Sequence, residues 1–203
     1  MSERCPWCGE QEIYVSYHDS EWGVPVTDSK ALWGKLILDG FQAGLSWLTI
    51  LKKRDAFARA FDGLDPEIVA GYGPQEVARL LADPGIVRHR GKIEAAISNA
   101  RAWQEIEREQ GFERFLWRFV GFRPLVNRFE RMEQVPASTP LSAELSRALK
   151  GRGFRFCGPT IVYAFMQAVG MVNDHLTRCP RHAEVQALSP EWPPGTTSGD
   201  ARR

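Results

Sequence analysis

The sequence has almost no net charge and no long apolar run. Its formal net charge is +1, so overall electrostatics does not indicate a polyanionic partner, and any nucleic-acid site must come from local basic clusters. No run approaches the roughly 20 apolar residues that a membrane-spanning helix needs. The first residues also lack the apolar core of a signal peptide. We therefore expect a cytoplasmic protein with no membrane partner.

Cysteine is scarce, with four residues in a chain of 203. In a protein expected in the cytoplasm, this number argues against a disulfide framework and favours metal ligands or buried thiols. The strict alternation of apolar and polar residues that is typical of strands does not occur, and neither do internal repeats. With 43% hydrophobic residues, the composition suffices for one domain or two small lobes. The pattern predicts an all-α fold.

The C-terminal part of the chain differs in composition from the rest. Residues 188–203 are rich in proline, glycine, serine and threonine. Such a segment is expected to be disordered or loosely docked, because it has too few apolar residues to bury. We therefore expect the folded domain to comprise residues 1–187.

Helix start and stop signals divide the chain into helices. Thr27 or Asp28 can cap a helix that Gly40 can end, which would place Asp39 at the end of an element. Ser46 can cap the next helix. Further helices are expected after Asp65-Pro66, from about Gly91, after Thr139-Pro140, and from about Thr160 to Val169.

The stretch from Asp39 to Trp47 gathers a carboxylate, an apolar side chain and a large aromatic ring around one corner. Gln42 and Gly44 belong to a predicted turn with Leu45 at its tip. An enzyme that acts on a nucleobase must unstack the base, hold it on aromatic faces and recognise its edge with a polar group. This corner offers each of these parts. The alternative is a buried interhelical corner with a capping aspartate.

Cysteine and histidine residues lie near both ends of the chain. Cys5 and Cys8 have a Cys-x-x-Cys spacing and precede His18, while His175 and Cys179 are four residues apart, a spacing that would place them on one face of a helical turn. We expect one structural zinc ion that joins the two ends. Cys5, His18, His175 and Cys179 would form a closed Cys2His2 site. Cys8 is a fifth candidate that could replace Cys5.

The other thiol and imidazoles have simpler interpretations. Cys157 stands between Phe156 and Gly158 and is expected to be a packed, buried thiol. His89 and His182 are expected at the surface. None of the three is assigned to the metal.

Three basic clusters could contact phosphate groups. They are Lys52-Lys53-Arg54, Arg88-His89-Arg90-Gly91-Lys92, and the segment from Lys150 to Arg155. Cations at the end of a helix explain each cluster equally well. The third cluster joins two helices through a glycine-rich turn, and free N–H groups at the start of the second helix, beside Gly158, can bind phosphate. This pattern is typical of a helix-hairpin-helix, with a plain interhelical turn as the alternative.

Several motifs in the same order resemble the 3-methyladenine DNA glycosylase I family of the helix-hairpin-helix superfamily. The motifs are Tyr17-His18-Asp19, Glu21-Trp22-Gly23-Val24-Pro25, Gln42-Ala43-Gly44-Leu45-Ser46-Trp47, Arg88-His89-Arg90-Gly91-Lys92 and Val172-Asn173-Asp174-His175. The resemblance covers nearly everything from Cys5 to Cys179. It implies a two-lobed, all-α fold with a DNA-facing cleft and a structural zinc bound by Cys5, His18, His175 and Cys179.

The same resemblance implies a monomeric repair hydrolase that releases 3-methyladenine, or other N3-alkylated purines, from alkylated double-stranded DNA, with Asp39 as its catalytic residue. The implied base pocket comprises Trp47, Tyr17, Trp22, Tyr14 and Trp7. Contacts with DNA are expected from Gln42, Gly44, Leu45, Arg90, Lys92, Gly153, Gly158 and Thr160. No lysine is convincingly placed as a Schiff-base nucleophile, so base excision without strand cleavage is expected.

Two positions depart from related glycosylases. Members of the resembled family carry glutamate at the position of Asp39, and an aspartate would fall about 1.3 to 1.5 Å short of the same point. This makes a weakened or inactive homologue that only binds DNA or damaged bases the alternative function. Other helix-hairpin-helix glycosylases carry a catalytic aspartate where Asn173 stands. A cationic base needs little help from a general acid to leave, which is consistent with the missing aspartate.

Overall fold

The structure is a computed structural model that describes residues 3–188. Within that range the chain is mostly helical, as predicted. The helices are α1 (Glu12–Ser20), α2 (Ser29–Gln42), α3 (Trp47–Ala60), α4 (Pro66–Val69), α5 (Pro74–Ala82), α6 (Arg90–Gln110), α7 (Phe112–Trp117), α8 (Pro140–Gly151), α9 (Pro159–Ala168) and α10 (Pro180–Gln186). Short 3₁₀ turns lie at Pro6–Cys8, Asp62–Leu64, Arg118–Val120 and Met132–Gln134. The predicted disordered tail, apart from Leu188, lies outside the described residues.

One pair of short strands departs from the all-α prediction. Strand β1 (Leu125–Val126) runs parallel to β2 (Val172–Asn173), with Leu125 opposite Val172 and Val126 opposite Asn173. Each strand has two residues, which is too short for any alternation to be recognised in the sequence. The pair fixes the segment before His175 against the segment before Asn127.

The predicted helix caps are present. The side chains of Asp28, Ser46 and Thr139 each accept a hydrogen bond from the backbone N–H three residues later, at the starts of α2, α3 and α8. Each of these side chains satisfies a backbone N–H that has no partner inside the helix. These starts depend on local chemistry and were therefore predictable.

The predicted end of α2 is wrong. The helix continues past Asp39 to Gln42, and Gly40 lies inside it. A Cβ atom added at Gly40 would lie 3.4 Å from the carbonyl oxygen of Phe156. The absence of a side chain at Gly40 therefore allows the turn between α8 and α9 to approach α2, and Asp39 lies in the buried last turn of a helix.

Two groups of buried side chains form the core. The larger one involves α2, α3, α6, α7, α8 and α9, with Trp33, Phe41, Phe57 and Trp117 fully enclosed. The smaller one contains Tyr17, Trp22, Cys5 and Cys179, and Trp47 packs against both groups. Within residues 3–188, no helix is both long and apolar enough to span a bilayer.

Candidate functional site

A cavity of about 340 Å³ lies beside Trp47, where the two groups of core residues meet. This volume falls in the usual range of ligand pockets, about 300 to 1,000 Å³. Its lining includes Asp39 and all five predicted aromatic residues, namely Trp7, Tyr14, Tyr17, Trp22 and Trp47. The structure therefore brings together the acidic residue and the aromatic residues that the sequence analysis selected.

The aromatic rings pack against one another in the cavity wall. The Trp7 ring meets Tyr14 and Trp22 edge-on, with centroid distances of 5.1 and 4.9 Å, and the Tyr17 and Trp47 centroids are 5.4 Å apart. Among residues 3–188, the buried indole N–H groups of Trp7 and Trp47 have no hydrogen-bond partner. The cavity wall thus combines apolar ring surface with two donors that a ligand could use.

Asp39 is buried, with 2% of its surface exposed. Its Oδ1 accepts a hydrogen bond from Lys35 Nζ at 2.5 Å, whereas Oδ2 has no partner within the described residues. Burial raises the pKa of Asp39 above its ordinary value, against the opposing effect of the Lys35 charge. A buried acceptor without a partner is costly and points to a ligand that supplies a donor.

Lys35 is a residue of this site that the sequence analysis missed. Its ammonium lies 4.0 Å from the centroid of the Trp47 ring, and the residue lines the cavity. Burial lowers the pKa of Lys35, while the charge of Asp39 opposes that shift. The available signal was its position four residues before Asp39 on a predicted helix, where side chains pair across one turn.

A second buried carboxylate, Asp174, also lines the cavity. Its Oδ1 accepts from Asn127 Nδ2 at 2.6 Å, and its Oδ2 accepts from the Tyr163 hydroxyl at 2.7 Å and from Gln167 Nε2 at 2.8 Å. Its neighbour Asn173 was instead the residue singled out in the sequence. That amide instead donates to the carbonyl of His182. Asp174 was missed because its donors lie on other elements, namely α9 and the segment just after β1.

The four predicted metal ligands form one buried cluster. The ligand atoms of Cys5, His18, His175 and Cys179 all lie within 4.8 Å of one another. Cys179 Sγ lies 3.6 Å from His18 Nε2 and 3.8 Å from His175 Nδ1. Tetrahedral zinc with its usual bond lengths separates a sulfur and a nitrogen ligand by about 3.6 Å. The donor set and its spacing therefore fit a zinc ion.

Outer contacts orient these ligands. His18 Nδ1 is 2.7 Å from the Asp19 carboxylate, and His175 Nε2 is 2.9 Å from the Trp22 carbonyl oxygen. Such contacts direct the other ring nitrogen toward a metal. Hydrogen bonds, first from Cys5, hold the pKa of Cys179 well below its ordinary value, which favours the thiolate that binds metal.

The expected helical turn carrying His175 and Cys179 is not present. Both residues lie between β2 and α10, and Cys179 is the residue before the first turn of α10. Cys8, the alternative ligand, is buried but lies outside the cluster, with its thiol 3.2 Å from the carbonyl oxygen of Cys5. A turn rather than a helix brings the ligands together, because β2 fixes the chain just before His175.

Two of the three remaining predictions for thiols and imidazoles are confirmed. Cys157 is buried, and His89 is exposed, where its Nδ1 accepts from the backbone of Lys92. The prediction for His182 is wrong. Its side chain is 8% exposed, and its Nε2 lies 2.8 Å from the carbonyl oxygen of Asn127. This contact joins α10 to the residue just after β1, a long-range relationship that no local pattern reveals.

The residues selected for DNA contact lie in different environments. Leu45 projects from the turn between α2 and α3 with 41% exposure, beside Gly44 at a φ of 78°. Gln42 and Thr160 line the cavity, and the Gln42 amide donates to the carbonyl of Leu45. Gly153 lies in the turn between α8 and α9, at a φ of 92°.

The basic residues of the second cluster differ in accessibility. Arg90 is exposed and lies 3.4 Å from Glu94. The Lys92 ammonium donates to the carbonyl groups of Phe41 and Ala43 at the end of α2, and the residue is 8% exposed. Lys92 therefore satisfies backbone acceptors of α2 in this structure. Gly158 precedes α9, and no side chain caps the start of that helix, where Pro159 has no N–H of its own.

The comparisons with a family profile, with known sequences and with solved structures all point to the same protein family. The sequence profile described as Methyladenine glycosylase matches residues 7–182. DNA-3-methyladenine glycosylase 1 of Escherichia coli (strain K12) is 50% identical over 178 residues, which cover 87% of this chain and 95% of that protein. A crystal structure of 3-methyladenine DNA glycosylase I superposes with a TM-score of 0.86 at 49% identity, covering 88% of this chain and 98% of the other.

A further solved structure contains a ligand. It is a variant of 3-methyladenine DNA glycosylase I in complex with 3-methyladenine, 38% identical to this chain, with a TM-score of 0.85. The match covers 95% of this chain and 100% of the other.

Proposed function

The chain belongs to the methyladenine glycosylase family, and from this premise we propose that it releases 3-methyladenine from alkylated double-stranded DNA by hydrolysing the N-glycosidic bond. The observation that carries the proposal is Asp39 Oδ2, which is buried and has no hydrogen-bond partner among residues 3–188, in a cavity whose lining includes six aromatic residues. A flipped purine would place its ring against the aromatic faces and its amino edge against Asp39.

The chemistry follows from the charge of the lesion. Methylation at N3 makes the base a cation, so it leaves as a neutral molecule and needs little protonation by the enzyme. The faces of Trp47 and Tyr17 favour a cationic ring, and Asp39 accepts hydrogen bonds from its edge. Water then completes hydrolysis at the sugar. Base recognition and bond cleavage are thus supported by the same side chains.

Lys35 bears on the prediction of excision without strand cleavage. It is a lysine in the cavity wall, which the sequence analysis did not anticipate. Burial lowers the pKa of Lys35, but its pairing with the Asp39 carboxylate opposes that shift and favours the protonated amine, which is not a nucleophile. We therefore retain a monofunctional glycosylase as the proposal.

We assign a structural zinc ion to Cys5, His18, His175 and Cys179. Four protein ligands would leave no open position for a catalytic water. The ion would fix α1 and the segment after β2 relative to each other, and with them Tyr17 and Trp22 in the cavity wall. We place the ion outside the reaction.

The DNA contacts are proposed from the surface around the cavity. Leu45 would fill the space left by the flipped base, Gln42 and Gly44 would shape the same turn, and the starts of α9 and α6 would contact phosphate groups. The residues assigned there are Arg90, Gly153, Gly158 and Thr160, with Lys92 as a supporting residue. We propose a monomeric cytoplasmic enzyme formed by one two-lobed helix-hairpin-helix domain within residues 1–187.

The direct test is incubation of the purified protein with methylated genomic DNA and identification of the released bases by mass spectrometry. We expect 3-methyladenine in the soluble fraction and intact phosphodiester strands. If no methylated base is released from DNA that the protein binds, the proposed reaction is excluded.

A binding protein without excision activity is the second candidate. The Lys35 ammonium neutralises Asp39, and a neutral pair attracts a cationic base less than a free carboxylate does. Tight binding to DNA with abasic sites, without base release from methylated DNA, would select this candidate.

A further inference from the structure

The Lys35 ammonium lies between two groups that the proposed function assigns to the base. Its Nζ is 2.5 Å from Asp39 Oδ1 and 4.0 Å from the centroid of Trp47, and its side chain is 17% exposed. An ammonium group carries three donor hydrogens. Within residues 3–188, Asp39 is the acceptor that it binds. Lys35 therefore has donor capacity left for a molecule in the cavity.

Lys35 and Asp39 together present a donor beside an acceptor. They lie one turn apart on α2, both line the cavity, and Asp39 Oδ2 has no partner within the described residues. Adenine has the complementary arrangement, since its exocyclic amino group lies between two unprotonated ring nitrogens, N1 and N7. One hydrogen of the amino group can be donated to Asp39, and the neighbouring ring nitrogen can accept a hydrogen bond from Lys35.

We propose that Lys35 is a specificity-determining residue that donates a hydrogen bond to an unprotonated ring nitrogen of the bound adenine while Asp39 accepts from the adjacent amino group. The inference deepens the proposed function and rests on it. The base is recognised by its pattern of donors and acceptors in addition to its charge. Lys35 also prevents Asp39 from being a buried carboxylate without a counter-ion.

The other charged groups near Lys35 and Asp39 do not offer an alternative hydrogen-bond donor for the base. Glu21 and Arg54 bind each other at 2.5 Å. Asp174, on the part of the wall contributed by the segment after β2, already accepts hydrogen bonds on both oxygens, from Asn127, Tyr163 and Gln167. Among the charged residues that line the cavity, Lys35 is thus the one that can donate a hydrogen bond to the base.

The test is a double-change cycle, in which one ring atom of the ligand and one side chain of the protein are changed separately and together. The affinities of 3-methyladenine, its 1-deaza analogue and its 7-deaza analogue are measured by tryptophan fluorescence for the wild-type protein and for Lys35→Met. A C–H group replaces one ring nitrogen in each analogue. A hydrogen bond from a charged donor is worth about 10-fold to 100-fold in affinity. We expect one analogue to bind the wild type more weakly by this factor, and the Lys35→Met variant to bind that analogue and 3-methyladenine equally.

Two further variants separate the possible causes. Lys30→Met changes the same residue type on the same helix, but Lys30 binds Asp65 and Glu67 away from the cavity. This variant should retain the wild-type preference. Lys35→Gln keeps a donor without the charge and should retain part of the preference for 3-methyladenine over the deaza analogue. A complete loss in Lys35→Gln would show that the charge alone matters and would overturn the hydrogen bond.

Other outcomes are equally decisive. If the wild type binds both deaza analogues as tightly as 3-methyladenine, or if Lys35→Met loses the same factor as the wild type, the assignment of Lys35 is wrong. Either result, in a protein that still releases 3-methyladenine from DNA, refutes this inference alone. A wild-type protein that neither binds the free base nor releases it refutes both proposals. Thermal unfolding of each variant verifies that it folds.

Discussion

His18 Nε2 lies 3.6 Å from Cys179 Sγ, although 161 positions separate the two residues. Together with Cys5 and His175 they connect α1 to the segment before α10, in direct contact with the aromatic wall of the cavity. The rings of His175 and Trp22 are 4.5 Å apart. The proposed metal site is therefore in direct contact with the cavity wall, so that loss of the metal should also perturb the cavity.

The first prediction concerns the metal. We expect Cys5→Ser to abolish stoichiometric zinc binding and to lower the free energy of unfolding by several kcal/mol, since metal-binding energy in such a site is folding energy. Zinc content by atomic emission and thermal unfolding measure both effects. Cys8→Ser is the matched control, because Cys8 lies outside the cluster, and it should retain one zinc ion. Loss of zinc in the Cys8 variant and retention in the Cys5 variant would reverse the assignment.

The second prediction concerns affinity for the product. Asp39→Asn keeps the size of the side chain and removes its charge, so we expect weaker binding of free 3-methyladenine by roughly 10-fold to 100-fold. The thermal midpoint should also fall, because the largely buried Lys35 ammonium loses its carboxylate partner, so the affinity is measured well below the midpoint of the variant. Equilibrium titration monitored by tryptophan fluorescence gives the affinity. Equal affinity in the variant would remove Asp39 from the base site.

The third prediction concerns pH. Burial raises the pKa of Asp39 above its ordinary 3.8, so the carboxylate is lost as the pH falls through the raised value. Burial lowers the pKa of Lys35 below its ordinary 10.5, so the ammonium is lost as the pH rises through the lowered value. Affinity for 3-methyladenine should therefore be bell-shaped, with both limbs inside the interval from 3.8 to 10.5. A Lys35→Met variant should lack the alkaline limb due to Lys35, and persistence of the same limb would contradict this attribution.

The fourth prediction concerns stability where Gly170 closely approaches the segment before α2. Gly170 has a φ of 71°, and an added Cβ would lie 2.5 Å from the backbone nitrogen of Pro25. Gly170→Ala should destabilise the protein by roughly 1–3 kcal/mol or more, because both backbone strain and overpacking oppose the methyl group. Chemical denaturation measures the change. Gly151→Ala, where an added Cβ meets nothing within 4 Å, should remain within about 0.5 kcal/mol of the wild type.

Local signals in the sequence predicted much of the structure. Caps such as Asp28 and Thr139 act within one turn and can be recognised from a few residues. The cluster of Cys5, His18, His175 and Cys179 was predictable because few residue types bind zinc and the chain contains few of them. The resemblance to a known family then supplied the residues of the aromatic wall, which their spacing alone did not identify.

Features that depend on distant contacts were missed. Gly40 looked like a helix end because its close approach to Phe156 is invisible in the sequence. His182 looked exposed because its partner, the Asn127 carbonyl group, lies 55 positions away. Lys35 is a different case, since its pairing with Asp39 follows from helical spacing. It was overlooked because α2 was expected to end before its last turn.

The most direct test of the account is the single-turnover rate of 3-methyladenine release from a defined methylated duplex, compared between the wild type and Asp39→Asn. With DNA affinity measured separately and protein in excess, the rate reports the step in which the bond breaks. We predict release by the wild type and a rate about 10²-fold to 10³-fold lower in the variant, because the group that faces the charged base is lost. Equal rates in the two proteins would contradict the assignment of Asp39 as the residue that acts on the base.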